Sequence, residues 1–320
     1  MSQLSPTIYQ TKSPVLFTIF NRPDVTFKVF EHIKLTKPPR LYIAADGPRP
    51  DKPEDVLLCQ QARGIIDLID WECTVKTLFN ENNIGCRRSM AAAVTWFFSQ
   101  EGEGIILEDD CLPANSFFRF CDEMLERYRN DSRIRHITGS NLQEGRKWGN
   151  ASYYFSNMTH VWGWASWKRV WDEYQDLPLF DESEVREKLV NIFSEPLLVE
   201  SWYDIFTRYR QNQINSWGYQ LDFVNFFNNG LTIIPNVNLI SNIGFRGDAT
   251  HTIDNESIYA NLPIEELEEI KHPVFILPEK NADAIVLNRD FNIDARKRKQ
   301  NAIHRRIKNW FKDILKNAAL

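Results

Sequence analysis

Four times within the first 130 residues, a short apolar run gives way to a polar break and then to helical spacing. Residues 15–20 (VLFTIF) form the first run, punctuated by Asn21-Arg22-Pro23-Asp24 before a helical pattern over 25–33. Residues 41–45 (LYIAA) are the second, stopped by Asp46-Gly47-Pro48, with a helix expected over 54–70. Residues 73–79 alternate like a strand and end in Asn80 and the segment 81–83, ahead of a helix over 88–98. Residues 104–107 (GIIL) close on Glu108-Asp109-Asp110, ahead of a helix over 115–128. Apolar runs of this length read as strands buried on both faces. Four β–α units in succession predict a parallel sheet covered by helices. Such sheets take ligands at the carboxyl ends of their strands. The four polar breaks, 21–23, 46–49, 82–88 and 108–110, therefore fall on one edge.

The second half reads differently. A strand is expected at 134–138, an aromatic-rich stretch at 153–174, helix over 181–211, a strand at 231–235 and a polar loop at 236–252. Residues 255–285 carry no chemistry legible in the sequence. The division expected is an α/β half at 1–130, a second half of the same domain at 131–290, and a basic helix at 291–320.

Charge separates these parts. The chain totals −5, yet residues 291–320 hold nine Lys or Arg against two Asp, so the other 290 residues carry about −12. An acidic body argues against nucleic-acid binding. The five cysteines contain no CxxC pair and no His at metal-ligand spacing, which reads as reduced thiols rather than a disulfide frame or zinc site. The opening MSQLSPTIYQTKSP lacks the basic-then-apolar pattern of a secretory signal, and no run of 18 apolar residues occurs. The expectation is a cytoplasmic protein.

Glu108-Asp109-Asp110 is the strongest local signal. Adjacent carboxylates repel unless a cation offsets them, and hard Mg2+ or Mn2+ is held by one or two carboxylates together with phosphate oxygens. The alternative is an acidic cap on the helix that follows. Asp46-Gly47-Pro48-Arg49 suits a base or ribose contact, or simply a turn. Asn82-Asn83-Ile84-Gly85-Cys86-Arg87-Arg88 opens a helix with a glycine and two arginines, a pattern suited to anions. Residues 242–251 (NIGFRGDATH) place Asp248 and His251 in a glycine-rich loop. Neither GxGxxG nor GxxxxGK[ST] occurs, so neither a dinucleotide fingerprint nor a P-loop is supported.

Taken in order, VLFTIFNRP (15–23), LYIAADGPR (41–49), NNIGCRRS (82–89) and GIILEDDCLPANSFF (104–118) resemble GT-A glycosyltransferases. The first, second and fourth resemble the N-acetylglucosaminyltransferase I family. WGWASWKRVWDEY (162–174) and NLISNIGFRGDATHT (238–252) resemble bacterial sugar transferases of polysaccharide clusters, some of them described as hemolysin-like. The resemblance implies an α/β GT-A fold, a Rossmann-like, mostly parallel sheet flanked by helices. It implies a UDP- or GDP-sugar donor, a glycan or lipid-linked saccharide acceptor, and Mn2+ (or Mg2+) as cofactor. Residue by residue, it implies Phe20, Asn21, Arg22, Asp46, Arg88, Glu108 and Asp109 at the donor, and Asp110 with His251 at the metal. An inverting reaction implies a general base, Asp222 or Asp248. The family has acids just after a Trp where this chain has Trp217-Gly218, a departure at the position of the base. Trp162, Gly163 and Trp164 are the expected acceptor contacts, since Trp faces stack on sugar rings; the other reading of the aromatics is core.

Two further classes stay open: a nucleotidyltransferase that makes the sugar nucleotide, and a sugar-binding module without catalysis. The tail stands apart. Ile303, Ile307, Trp310, Phe311 and Ile314 fall on one helical face, with Lys and Arg on the other. A basic amphipathic helix over 295–320 reads as an anchor on an anionic membrane surface, the inner face of the cytoplasmic membrane, or as a helix packed on the acidic body.

Overall fold

The computed structural model describes residues 9–174, 181–245 and 257–317. Asp248 and His251 lie outside them.

The first half builds as four β–α units. β1 (Val15–Ile19) is buried throughout. α1 (Pro23–Thr36) starts on a proline whose fixed φ suits the first turn, and closes on Lys37 in the left-handed region, its N–H donated to the Ile33 and Lys34 carbonyls. β2 (Arg40–Ala45) leads to α2 (Glu54–Arg63), which tightens into a short 3-10 turn over Gly64–Leu68. The expected helix to residue 70 thus stops early, at a glycine followed by two β-branched residues, all poor helix formers. β3 (Thr74–Phe79) is the exposed edge; α3 (Cys86–Phe98), β4 (Glu103–Glu108), the short β5 (Cys111–Pro113) and α4 (Asn115–Tyr128) follow.

The second half adds β6 (Ile134–Thr138), β7 (Tyr153–Ser156), β8 (Trp164–Trp167) and the single turn α5 (Lys168–Trp171). The helical stretch is two helices, α6 (Glu182–Ile192) and α7 (Pro196–Arg210), broken by Phe193-Ser194-Glu195 ahead of Pro196. α8 (Gly218–Phe227), β9 (Leu231–Pro235), β10 (Ile240–Asn242), α9 (Lys280–Asp290) and α10 (Ile293–Asn317) complete the chain.

Eight strands form one sheet in the order β3-β2-β1-β4-β8-β6-β9-β7. β3, β2, β1 and β4 are parallel, with Val15 opposite Leu41 on one side and Ile105 on the other. β8 runs antiparallel to both β4 and β6, so the sheet is continuous from the first half into the second. This is the α/β architecture expected, a largely parallel sheet flanked by helices. Alternate residues feed opposite faces, as the pleat requires. Val15, Phe17, Ile105 and Leu107 pack with α1 and α4, while Leu16 and Ile106 pack with α3, Trp164 and Trp217. Each such fully buried side chain contributes about 1.5–3 kcal/mol.

The aromatic stretch is mostly core. Tyr153, Tyr154, Phe155, Trp164, Trp167 and Trp171 are all buried. β5 and β10 pair antiparallel with Cys111 opposite Asn242, which draws residues 242–245 against the acids that end β4.

Candidate active site

The parallel strands end at a cleft of about 380 Å³. Seven of the residues singled out in the sequence line it together: Phe20, Arg22, Asp46, Glu108, Asp109, Asp110 and Trp162. They come from the ends of β1, β2 and β4 and from the segment before β8. Arg49, Asn83, Cys86, Ser89, Asn242 and the segment Asn215-Ser216-Trp217 are among the other lining residues.

The acids sit around one guanidinium. Arg22 pairs with Asp109, and its Nη2 donates to Asp110 Oδ2 at 2.9 Å. Burial works against the charge of Arg22, but Asp109 and Asp110 more than restore it, holding the guanidinium above its ordinary range. Burial, then Asp110 and Asp109, push Glu108 up to about 8. Burial likewise raises Asp109 to about 6 although Arg22 pulls it down. Among the described residues one cation contacts this trio of carboxyl groups, and a second cation beside them would favour their ionised forms. The donor set is hard oxygen. Among the described residues no three metal-ligating side chains converge on one point. Such a donor set fits a hard divalent ion that also takes ligand oxygens.

The β5–β10 pairing sets a floor on this side. Ile243 donates its N–H to the Asp110 carbonyl at 2.9 Å. A Cβ on Gly244 would lie 2.7 Å from Arg22 Nη1 and closer still to Asp110 Oδ2, so only glycine lets the backbone approach the acids here.

Asp46 is committed to its own surroundings. Its carboxylate accepts from the N–H groups of Gly47 (2.9 Å), Ile84 (3.1 Å) and Gly85 (3.1 Å) and from Asn80 Nδ2 (3.1 Å). It ties the end of β2 to the loop that opens α3, and Gly85, at φ +86°, takes a backbone conformation open to glycine. Burial pushes the Cys86 thiol up to about 12, with Glu108 and Asp46 adding to it, so it lines the cleft as a neutral group.

The remaining candidates fall elsewhere. Asn21 turns away to Asp55. Arg88 is exposed on α3, outside the lining. Trp164 is core, stacked on Trp217 with ring centroids 5.6 Å apart, and Gly163 packs against Ile240. Asp222 is buried in α8 beside Thr159 and does not line the cleft. Burial pushes its carboxyl up to about 8 against hydrogen bonds from Thr159, and Oδ1 has no partner among the described residues.

That value sets a pH dependence. A folded-state value near 8 lies above an unfolded value of about 4. The protonated carboxyl's stability is therefore fully present below about pH 4 and is lost as pH rises through about 8. Asp222→Asn removes the loss, so the variant's gain over wild type in urea unfolding should grow from pH 5 to pH 8. A gain that stays flat across that range would show that Asp222 is ionised throughout.

A larger groove, about 1240 Å³, lies at the opposite ends of β1 and β4. Several of its charges are already partnered: Arg40 with Glu101, Arg129 with Glu103, and Asp122 accepting from Tyr9, Thr11 and the N–H groups of Lys12 and Ser13.

No protein-family model matches the chain, and no curated protein does. Among solved structures it is similar to the mannosyltransferase PcManGT from Pyrobaculum calidifontis in complex with GDP-Man and Mn2+, at 9% identity and TM-score 0.33, over 51% of this chain and 47% of that one. A cytidylyltransferase from Leptospira borgpetersenii is similar at 10% identity and TM-score 0.32, over 54% of this chain and 66% of that one. HddC from Yersinia pseudotuberculosis is similar at 10% identity and TM-score 0.31, over 53% and 87%. The chain spans about half the length of the mannosyltransferase. Likenesses this distant carry nothing about chemistry, which has to come from the cleft itself.

Proposed function

We propose that this chain is a metal-dependent glycosyltransferase that takes a sugar from a nucleotide-sugar donor and passes it, with inversion, to a glycan or lipid-linked acceptor in surface polysaccharide synthesis. The observation that carries the reading is the trio Glu108-Asp109-Asp110 at the end of a buried parallel strand, lining a cleft where Arg22 contacts Asp109 and Asp110. Asp110, with His251 from outside the described residues, would hold Mn2+ or Mg2+. Such an ion, when bound, offsets the charge that grows on a departing diphosphate. Arg22 holds Asp109 and Asp110 in place and adds a fixed positive charge at the same end of the cleft. Phe20 and Trp162 supply aromatic faces, one at the end of β1 and one across the cleft ahead of β8.

Calorimetry of UDP- and GDP-sugars, with and without Mn2+, tests the reading. Metal-dependent binding with transfer or slow hydrolysis of the sugar supports it. Turnover of a nucleoside triphosphate would move the chain to the nucleotidyltransferases. Binding without any turnover would make it a sugar-binding module.

The lipid-linked acceptor is supported by α10. Its start docks on the body: Ile293 is buried, Lys297 pairs with Glu195, and Arg296 Nη1 donates to Ser201 at 2.7 Å. Beyond it, every described side chain from Arg298 to Trp310 is exposed, with Ile303 at 46% and Trp310 at 60%. Among the described residues no helix is long and apolar enough to cross a membrane. A basic helix with exposed apolar residues suits the surface of an anionic bilayer. The full chain should float with phosphatidylglycerol vesicles, and a chain ending at Lys297 should not; equal flotation removes the anchor.

A further inference from the structure

Arg87 and Arg88 stand together in the sequence as two donors suited to an anion, and the fold parts them. Arg88 is exposed on α3. Arg87 reaches the end of α7. Its guanidinium lies 3.8 Å from the centre of the Tyr209 ring, and its Nη1 donates to the Tyr209 carbonyl at 3.4 Å and to Asn212 Oδ1 at 3.1 Å. A cation with N–H groups suits a helix C-terminus, where the last carbonyls have no partner within the helix. The exchange runs both ways. Gly85, at the N-cap of α3, has no side chain to cap that helix. Asn215 Oδ1 takes the place of a cap, accepting from the backbone N–H of Arg87 at 3.4 Å. Each helix end is capped from the other's segment.

Both ends of the segment 212–217 are fixed. Tyr209 is fully buried, and its hydroxyl donates to Gln220 Oε1 at 2.8 Å. Asn212 takes the left-handed region at φ +56°, and the N–H of Gln213 donates to the Arg208 carbonyl at 2.9 Å, so α7 closes tightly. Trp217 is buried against Trp164. Between them, Asn215 and Ser216 line the cleft together with Cys86, Ser89 and Met90 of α3.

We infer that Arg87 is a positioning residue, which fastens the segment 212–217 to the first turn of α3 and so holds the Asn215 carboxamide and the Ser216 hydroxyl at the cleft. Its consequence for turnover rests on the nucleotide-sugar reading given above; the fastening itself does not. A misplacement of about 1 Å at a reacting centre can cost roughly 10²-fold in rate.

Cys86 reports the fastening directly. It is half-buried and lines the cleft next to Arg87, while Cys73, also half-buried, lies ahead of β3 outside the lining. The full chain is treated with iodoacetamide, and labelling is followed at each cysteine by peptide mass spectrometry. Arg87→Ala should speed labelling of Cys86 relative to Cys73 by about tenfold, the scale of a desolvated cation–π contact with its hydrogen bonds. Removing a neighbouring positive charge favours the unreactive thiol, so a faster reaction reports access and not charge. Arg87→Lys keeps the charge but loses the planar fork, and should speed it too; if Arg87→Ala does not fold, Arg87→Lys decides alone. Calorimetry of UDP and GDP with Mn2+ should give wild-type affinity in both variants, since Asp46 still ties the loop before α3. For a UDP- or GDP-sugar that wild type turns over, kcat should fall about tenfold or more while KM holds.

Unchanged labelling of Cys86, or an equal rise at Cys73, overturns the fastening. Loss of UDP and GDP affinity with Cys86 labelling unchanged makes Arg87 an anion contact and overturns it as well. Faster labelling with kcat unchanged overturns the positioning role. A wild type that binds neither UDP nor GDP overturns the donor reading and the consequence for turnover, while the labelling, which needs no nucleotide, still decides the fastening.

Discussion

Asp110→Asn is expected to cut metal-dependent sugar transfer by about 10³-fold or more, the scale on which a single charge-stabilising group in a closed site acts. The substitution keeps the shape of the side chain and replaces one of the three carboxyl groups lining the cleft with a neutral amide. Arg22 keeps Asp109 as a partner, with Nε 3.4 Å from Oδ2, so the local structure should survive. The loss should appear as a failure to respond to Mn2+: turnover measured against metal concentration should stay near background, and calorimetric uptake of Mn2+ should fall with it. Normal turnover at low Mn2+ would place the metal elsewhere or remove it from the reaction.

Gly47→Ala is expected to have the largest effect on stability, about 3 kcal/mol or more in urea unfolding. A Cβ there would stand 2.6 Å from the backbone N and Cα of Asn82 and closer still to its carbonyl carbon. Backbone cannot swing aside as a side chain can. To make room, the turn after β2 must part from the loop before α3, and the bonds that Asp46 accepts from Ile84 and Gly85 must lengthen. Nucleotide affinity should fall as well, because Asn83 and Cys86 line the cleft from that loop. A variant with wild-type stability and affinity would show that the two segments are free to separate.

The first four β–α units are legible in the sequence because strands buried on both faces leave near-continuous apolar runs, and those runs need no tertiary information to be seen. β8 is not legible. Its WASW is short, and its place between β4 and β6 depends on a chain that returns antiparallel after two intervening strands. The aromatics of 153–174 show the limit of residue type as a guide: Trp162 reaches the cleft and Trp164 is buried, though only Gly163 separates them. Of the site, the three acids can be read because their mutual repulsion demands a reason. Asp55 cannot be, because an acid in the first turn of a helix is ordinary there. Only the approach of the segments at 21 and 49, beside the parallel pairing of β1 with β2, gives it Asn21 and Arg49 as partners.

The seating of β8 also limits how a protein of this kind can diversify. β4 finds β1 on one side and β8 on the other, so a chain cut near residue 130 would leave an apolar strand with a bare edge, a template for aggregation. The two halves share one sheet, so neither keeps its hydrogen-bonded neighbours without the other. A change in what the cleft takes is open to the loops at its rim, those near Trp162 and near Asn215, while the strands beneath them stay as they are.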